Sequence, residues 1–398
     1  MQKIIIFTSP GGGGHMSASN ALATYLKDDY EVIQTYLLAD VLKSFDPVYL
    51  ASFGKCSGEA AYNAITPYNQ WWLLNLIYRI GRVCFIPFEP FMRKRIVQYL
   101  KDTNADMVIS VIPIFNKILS QAAQELDIPF LLMPTDLDIR SFVYNVKHPT
   151  YNKFHLSLIF NDYSIVQHAY AKGICDHYIT YEGFPLRAEF FESKNRDALK
   201  AAMGIEKQKP VVMIMMGSQG ASSLVHCVRH MKNMQTPLHL LVCIGKLQTI
   251  KSALASIVLP PWITMDIIEE TNRISDYMAV SDILVTKSGT ASFCEAIHMN
   301  LPMILDATSS ALVWERFNHR FTESNGLGAV IKNYAELPLY LEQYLQDPGL
   351  LAEVKHNISL LSLKDTPERV RNRIARMLRP SLKYGNLMFA YGKKSRLQ

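Results

Sequence analysis

The run Lys3-Ile4-Ile5-Ile6-Phe7-Thr8-Ser9-Pro10-Gly11-Gly12-Gly13-Gly14-His15-Met16-Ser17-Ala18-Ser19-Asn20-Ala21 decides how the rest of the chain is read. A continuous apolar stretch at Lys3–Phe7 gives way to four glycines and then to small residues that start a helix. A strand without polar alternation suits a parallel sheet covered on both faces. Glycines between such a strand and a helix let another molecule approach the backbone, at a helix end whose N–H groups favour anions or polar oxygens. The loop lacks the Lys-Ser/Thr of a P-loop and does not spell G-x-G-x-x-G. His15 closes it, where one imidazole can serve as a general base.

Similar apolar runs recur outward from this stretch. In the first half they are Met107–Val111, Phe130–Met133, Leu156–Phe160 and His177–Thr180. In the second they are Val211–Met216, Leu238–Ile244, Ile263–Ile268, Ile283–Thr286, Met303–Leu305 and Ala329–Ile331. Strands alternating with helical stretches, twice over, imply two doubly wound Rossmann-like α/β domains. The polar stretch Glu192–Lys209 separates them, so the expected domains are 1–195 and 196–368, followed by a basic segment at 369–398.

A chain of 398 residues with 49% hydrophobic and 19% charged residues is neither disordered nor fibrous. Its six cysteines are widely spaced without C-x-x-C, which argues for reduced, mostly buried thiols in a reducing compartment. The apolar run at Lys3 leaves no room for a basic leader segment, and a cytoplasmic location is expected. The formal net charge is +6, yet nine basic residues and no acid lie from Arg369 onward, leaving the preceding 368 residues at −3. Such a cluster suits a polyanion, either nucleic acid or anionic lipid, where each basic residue near a bilayer contributes about 1 kcal/mol.

Tyr68–Arg95 decides between them. Trp71, Trp72, Leu73, Leu74, Leu76 and Ile77 are interrupted by Arg79 and Arg82 and followed by Pro87 and Pro90. That is too short and too charged to span a bilayer, but aromatics beside arginine suit the membrane interface. The expected partner is therefore an anionic membrane surface on its cytoplasmic face, not nucleic acid.

Further strand ends carry polar residues. Ile283–Thr286 runs into Lys287-Ser288-Gly289-Thr290 and then a helix, a second junction with free N–H groups, suited to a diphosphate. Glu295 lies about one turn inside that helix, where a carboxylate can accept both ribose hydroxyls or simply face the helix dipole. Glu315 and Asn318, three apart, share a helical face and can hold sugar hydroxyls. Gly217, Ser218 and Gln219 follow the strand Val211–Met216. Arg187 suits a diphosphate or a local pair with Glu189. Asp136-Leu137-Asp138 spells D-x-D, although no metal site is assigned to it; Asp136 is read as orienting His15 or facing the acceptor.

Taken in order, several of these motifs resemble glycosyltransferase family 28, and within it the monogalactosyldiacylglycerol synthases and diacylglycerol glucosyltransferases. They are Gly11-Gly12-Gly13-Gly14-His15-x-Ser17-Ala18-Ser19-x-Ala21, Thr135-Asp136-Leu137, His148-Pro149-Thr150-Tyr151, and Gly183-Phe184-Pro185-Leu186-Arg187-x-x-Phe190. In the second half they are Met278–Gly289, Glu295-Ala296, Leu301–Leu305 and Glu315–Asn318. The resemblance implies a GT-B fold, two domains facing each other across a cleft. It also implies an inverting transfer of a hexose from a UDP-sugar to diacylglycerol, with no cofactor or metal.

In that reading His15 and Asp136 are catalytic. Arg187, Gly217, Ser218, Gln219, Lys287, Ser288, Gly289, Thr290, Glu295, Glu315 and Asn318 bind the donor. Gly12, Gly13, Gly14, Trp71, Trp72 and His148 serve the acceptor and the membrane. Gly217-Ser218-Gln219-Gly220-Ala221 looks more like the related peptidoglycan N-acetylglucosaminyltransferase, which keeps a polyprenyl-diphosphate acceptor open. An inactive membrane-binding scaffold is a third reading.

Overall fold

The computed structural model describes residues 1–10, 13–65, 85–147, 149, 151–217, 221–309 and 315–379. Among these described residues, twelve strands form two all-parallel sheets. The first holds β1 (Lys3–Thr8), β2 (Glu31–Tyr36), β3 (Met107–Ser110), β4 (Phe130–Leu132), β5 (Phe154–Ser157) and β6 (Ile179–Thr180), in the order β2-β1-β3-β4-β5-β6. The second holds β7 (Val211–Met215), β8 (Leu238–Gly245), β9 (Ile263–Glu269), β10 (Ile283–Thr286), β11 (Met303–Asp306) and β12 (Gly328–Ile331), in the order β12-β11-β10-β7-β8-β9.

The central strands form because they have no polar face to show: Ile4, Ile5, Ile6 and Phe7 are fully buried, as are Ile283, Leu284 and Val285. Each sheet reverses its winding once, between β1 and β3 and between β7 and β10. Loops at the carboxyl ends of strands diverge at such a reversal and open a crevice where ligands bind. The glycine loop after β1, the Gly217 loop after β7 and the Lys287–Thr290 turn after β10 all sit at these two points. Strand order thus places three segments that the sequence singled out.

Contacts fix both ends of the second domain. The polar stretch between the halves is not a free linker. Its Arg196–Ala202 helix is capped by Asn195, and Arg196 holds Asp282 at 2.7 Å, so it belongs to the second domain. The basic segment starting at Arg369 begins inside the helix Thr366–Leu378, which returns to the first domain. Val370 and Ile374 complete an apolar cluster with Ile4, Ile6, Leu22, Leu26, Met107 and Leu131. Its arginines are partly engaged: Arg373 pairs with buried Glu182 at 2.8 Å, and Arg371 donates to the Tyr25 carbonyl at 2.9 Å. Gly183, at φ +92°, makes this return possible, because a Cβ there would collide with the Thr366 hydroxyl.

Among the cysteines, Cys227, Cys243 and Cys294 are buried as expected, whereas Cys175 is exposed and Cys56 partly so. Cys84 lies outside the described residues. Among the described residues no helix is long and apolar enough to cross a membrane.

Candidate active site in the interdomain cleft

The helix Gly13–Leu26 starts earlier than the small residues from Ser17 suggest, taking in Gly13 and Gly14, and carries His15 in its first turn. A Cβ added at Gly13 or Gly14 would meet nothing within 4 Å, so the backbone faces open space there. The His15 ring is held by Thr135, whose hydroxyl lies 2.6 Å from Nδ1, while the Thr8 hydroxyl donates to the His15 carbonyl at 3.2 Å. Burial lowers the imidazole pKa to about 4, against a smaller opposing effect from the Val111 backbone. At neutral pH the ring is therefore uncharged and can accept a proton.

The sequence suggested Asp136 as a partner of His15. The structure gives that place to its neighbour Thr135, a residue the sequence recorded only as part of a motif. Asp136 reaches the other domain and accepts a hydrogen bond of 3.2 Å from the Thr290 hydroxyl. Burial raises its carboxyl to about 7; the Thr290 bond opposes this, and Asp138 and Glu315 add to it. Asp138 is committed elsewhere, to a two-pronged pair with Arg140 at 2.7 and 2.5 Å. Among the described residues no group of three His, Cys, Asp or Glu is gathered as metal ligands.

Across the cleft, β10 ends at Thr286. Half-buried Lys287, buried Ser288 and extended Gly289 lead into the helix Thr290–His298. Gly289 supplies no side-chain cap, so the first N–H groups of this helix are left to other partners. Asn318 shapes the turn from behind, its amide donating to the Ser288 carbonyl at 2.7 Å and to Thr290 Oγ1 at 3.2 Å. It is 1% exposed, and its Oδ1 has no partner. Asn318 thus acts on the turn from behind, while Glu315, at the start of the same helix, lies close enough to perturb Asp136.

Glu295 is buried beside Arg187, whose guanidinium is 3.2 Å from Glu295 and 3.0 Å from Glu189. The local pair and the cross-cleft reach of Arg187 are therefore both present. Burial pushes the Glu295 carboxyl up to about 7 despite the pull of Arg187. Gly217 follows β7 at φ +66°, exposed, with open space where a Cβ would be. Gly12, Trp71, Trp72, His148, Ser218 and Gln219 lie outside the described residues.

One further residue had no signal in the sequence. Glu59, fifty positions from the glycine loop, accepts a 2.6 Å hydrogen bond from Ser9, and its Oε2 is buried without a partner.

Two doubly wound domains facing each other across a cleft are the GT-B architecture. Solved structures agree on the fold: the chain superposes on Acinetobacter baumannii MurG with a TM-score of 0.63 at 12% identity, covering 94% of this chain and 100% of that one. CalG4, the calicheamicin glycosyltransferase, gives 0.59 at 15%, covering 95% and 98%. Residues 211–349 match the glycosyltransferase family 28 C-terminal domain.

A chloroplastic monogalactosyldiacylglycerol synthase of Spinacia oleracea is 24% identical over 368 residues, 86% of this chain. A processive diacylglycerol beta-glucosyltransferase of Bacillus licheniformis is 23% identical over 380 residues, 92% of this chain and 93% of its own length. The chain spans 66% of the length of the spinach relative and 63% of one from Glycine max.

Proposed function

We propose that this glycosyltransferase moves a hexose from a UDP-sugar to diacylglycerol at a membrane surface, inverting the anomeric carbon. The observation that carries the reading is the pairing of neutral His15, held by Thr135, with the uncapped Thr290–His298 helix joined to the first domain through Thr290 and Asp136. His15 takes the proton of the acceptor hydroxyl, whose oxygen attacks the anomeric carbon as the bond to UDP breaks. The N–H groups at the Ser288–Thr290 turn and Arg187 stabilise the departing diphosphate. Glu295 meets the ribose hydroxyls, and Glu315 orients the sugar.

The acceptor class is supported by the names of the relatives and by exposed apolar side chains on the first domain. Phe53 is 94% exposed and Phe91 61%, with Leu50, Ile86 and Phe88 also exposed. Lys55, Lys94 and Arg95 are exposed beside them in sequence. Apolar anchors mixed with cations suit an anionic bilayer interface.

The test is UDP release in the presence of anionic vesicles containing diacylglycerol, with UDP-galactose, UDP-glucose and UDP-N-acetylglucosamine compared. Release requiring one donor and diacylglycerol is expected. Binding of UDP without release would overturn the acceptor and turn attention to a polyprenyl-diphosphate lipid, the reading that the Gly217–Ala221 loop favours. Absence of both binding and release would leave an inactive scaffold.

A further inference from the structure

Beside the Ser288–Thr290 turn, the outer face of the helix Glu315–Ser324 borders a hollow of about 460 Å³ at the carboxyl ends of β11 and β12. We propose that this hollow binds a phosphomonoester dianion, separately from the sugar nucleotide. Arg316, His319, Arg320 and Glu323 follow the spacing i, i+3, i+4, i+7 and so form one stripe. Lys332 joins them just beyond β12, and Arg140 comes from the first domain. Asn318 points to the other side, into the turn after β10.

On the wall of this hollow the cations outnumber the acids. Among the described residues Arg316, Arg320 and Lys332 take part in no ion pair, and Glu323 is the one acid on the wall. Arg140 is neutralised by Asp138, but that bidentate bond fixes its guanidinium and leaves the side chain about half exposed. His319 is 9% exposed, lines the same hollow, and its Nε2 is buried without a partner. Gathering three like charges around a space and leaving a buried nitrogen unsatisfied both cost free energy. A dianion relieves the first of these costs. Arginine forks match tetrahedral oxyanions in geometry, and three cations against one acid match a charge of two rather than one. Because Arg140 and the helix belong to different domains, the ligand would also tie the two halves together.

The experiment uses the full chain saturated with UDP, so that the donor site is filled, and follows inorganic phosphate binding by calorimetry. One saturable site is expected. It should weaken about tenfold or more in Arg316→Ala/Arg320→Ala and in Arg140→Ala, and stay unchanged in Lys232→Ala, an exposed cation elsewhere. All four substituted residues are exposed, so folding should survive, and melting curves verify it. Unchanged affinity in the double variant, displacement of phosphate by UDP, or equal affinity for dimethyl phosphate would each overturn the proposal. Glycerol 3-phosphate in solution and phosphatidic acid in phosphatidylcholine vesicles then separate the sources. Competition by the former alone indicates a free metabolite; preferential vesicle binding that the double variant loses indicates a lipid headgroup.

Discussion

As the proposed base, His15 is unusual because it sits half-buried and poorly solvated in the cleft. Its pKa near 4 keeps it neutral across the physiological range but makes it a weak proton acceptor until substrate arrives. The acid limb of kcat/KM, which reports the free enzyme, should accordingly lie near pH 4–5. A limb at 6.5 would show that the essential base is not shifted by burial as His15 is expected to be. His15→Ala should lower turnover by ~10²–10⁴ while UDP affinity measured by calorimetry stays within about twofold. Thr135→Val, which removes the partner of Nδ1 but keeps the ring, should fall between that variant and the wild type. Asp136 gives a prediction of opposite sign. Its folded pKa, about 7, exceeds the unfolded value of 3.8, so the fold favours the protonated form and loses stability as pH rises from about 4 to 7. Asp136→Asn should therefore lose less melting temperature than the wild type between pH 5 and 8. Parallel curves would show that Asp136 is already ionised at pH 5.

At the scale of elements, the sequence marks the strands well because central parallel strands are apolar throughout. β10 is read at Ile283–Thr286, as observed, and β7 and β8 within a residue at each end. β2 escapes notice because Glu31–Tyr36 is an edge strand, mostly exposed or half-buried, with charged and polar residues between its apolar ones. β5 begins two residues early because Phe154 and His155 pair with β4, while Leu158–Phe160 stay buried beyond the strand. The glycine loops are legible from local chemistry. The contact of Thr290 with Asp136 spans 154 positions and depends on how two domains meet, which no local pattern encodes. The sequence marks only a basic helix or tail from Arg369, and the docking of the helix Thr366–Leu378 on the first domain escapes it for the same reason, since its apolar partners lie at the other end of the chain.

Gly183 tests that return path. Gly183→Ala adds a Cβ at φ +92° against Thr366 and Leu363, and should cost about 2–4 kcal/mol in chemical denaturation. Adding Thr366→Ser would leave the hydroxyl and most of that cost. Thr366→Ala should recover part of it, leaving the backbone strain of roughly 1–2 kcal/mol. Full recovery would show that the left-handed backbone is not strained.

For the whole molecule, the proposed docking at a membrane divides between charge and apolar surface. The arginines of the last described helix are partly spent on the fold, with Arg373 on Glu182 and Arg371 on the Tyr25 carbonyl. Of the cations that remain for lipid, exposed Arg376 and Arg379 stay with the helix, and four follow it, Lys383, Lys393, Lys394 and Arg396. At about 1 kcal/mol each, those four amount to two to three orders of magnitude in affinity for an anionic bilayer and nothing for a zwitterionic one. Exposed phenylalanines behave differently, since burial of an aromatic ring in the interface does not depend on headgroup charge. Removal of residues 380–398 should thus weaken sedimentation with anionic vesicles steeply, in a manner abolished by high salt, and leave binding to phosphatidylcholine unchanged. Phe53→Ser and Phe91→Ser should weaken both, by about tenfold each. If truncation leaves anionic binding intact while the phenylalanine variants lose it, docking is apolar and the basic end serves another partner. If the phenylalanine variants bind both vesicle types like the wild type, the first domain does not enter the interface through these side chains, and the acceptor must reach His15 by another face.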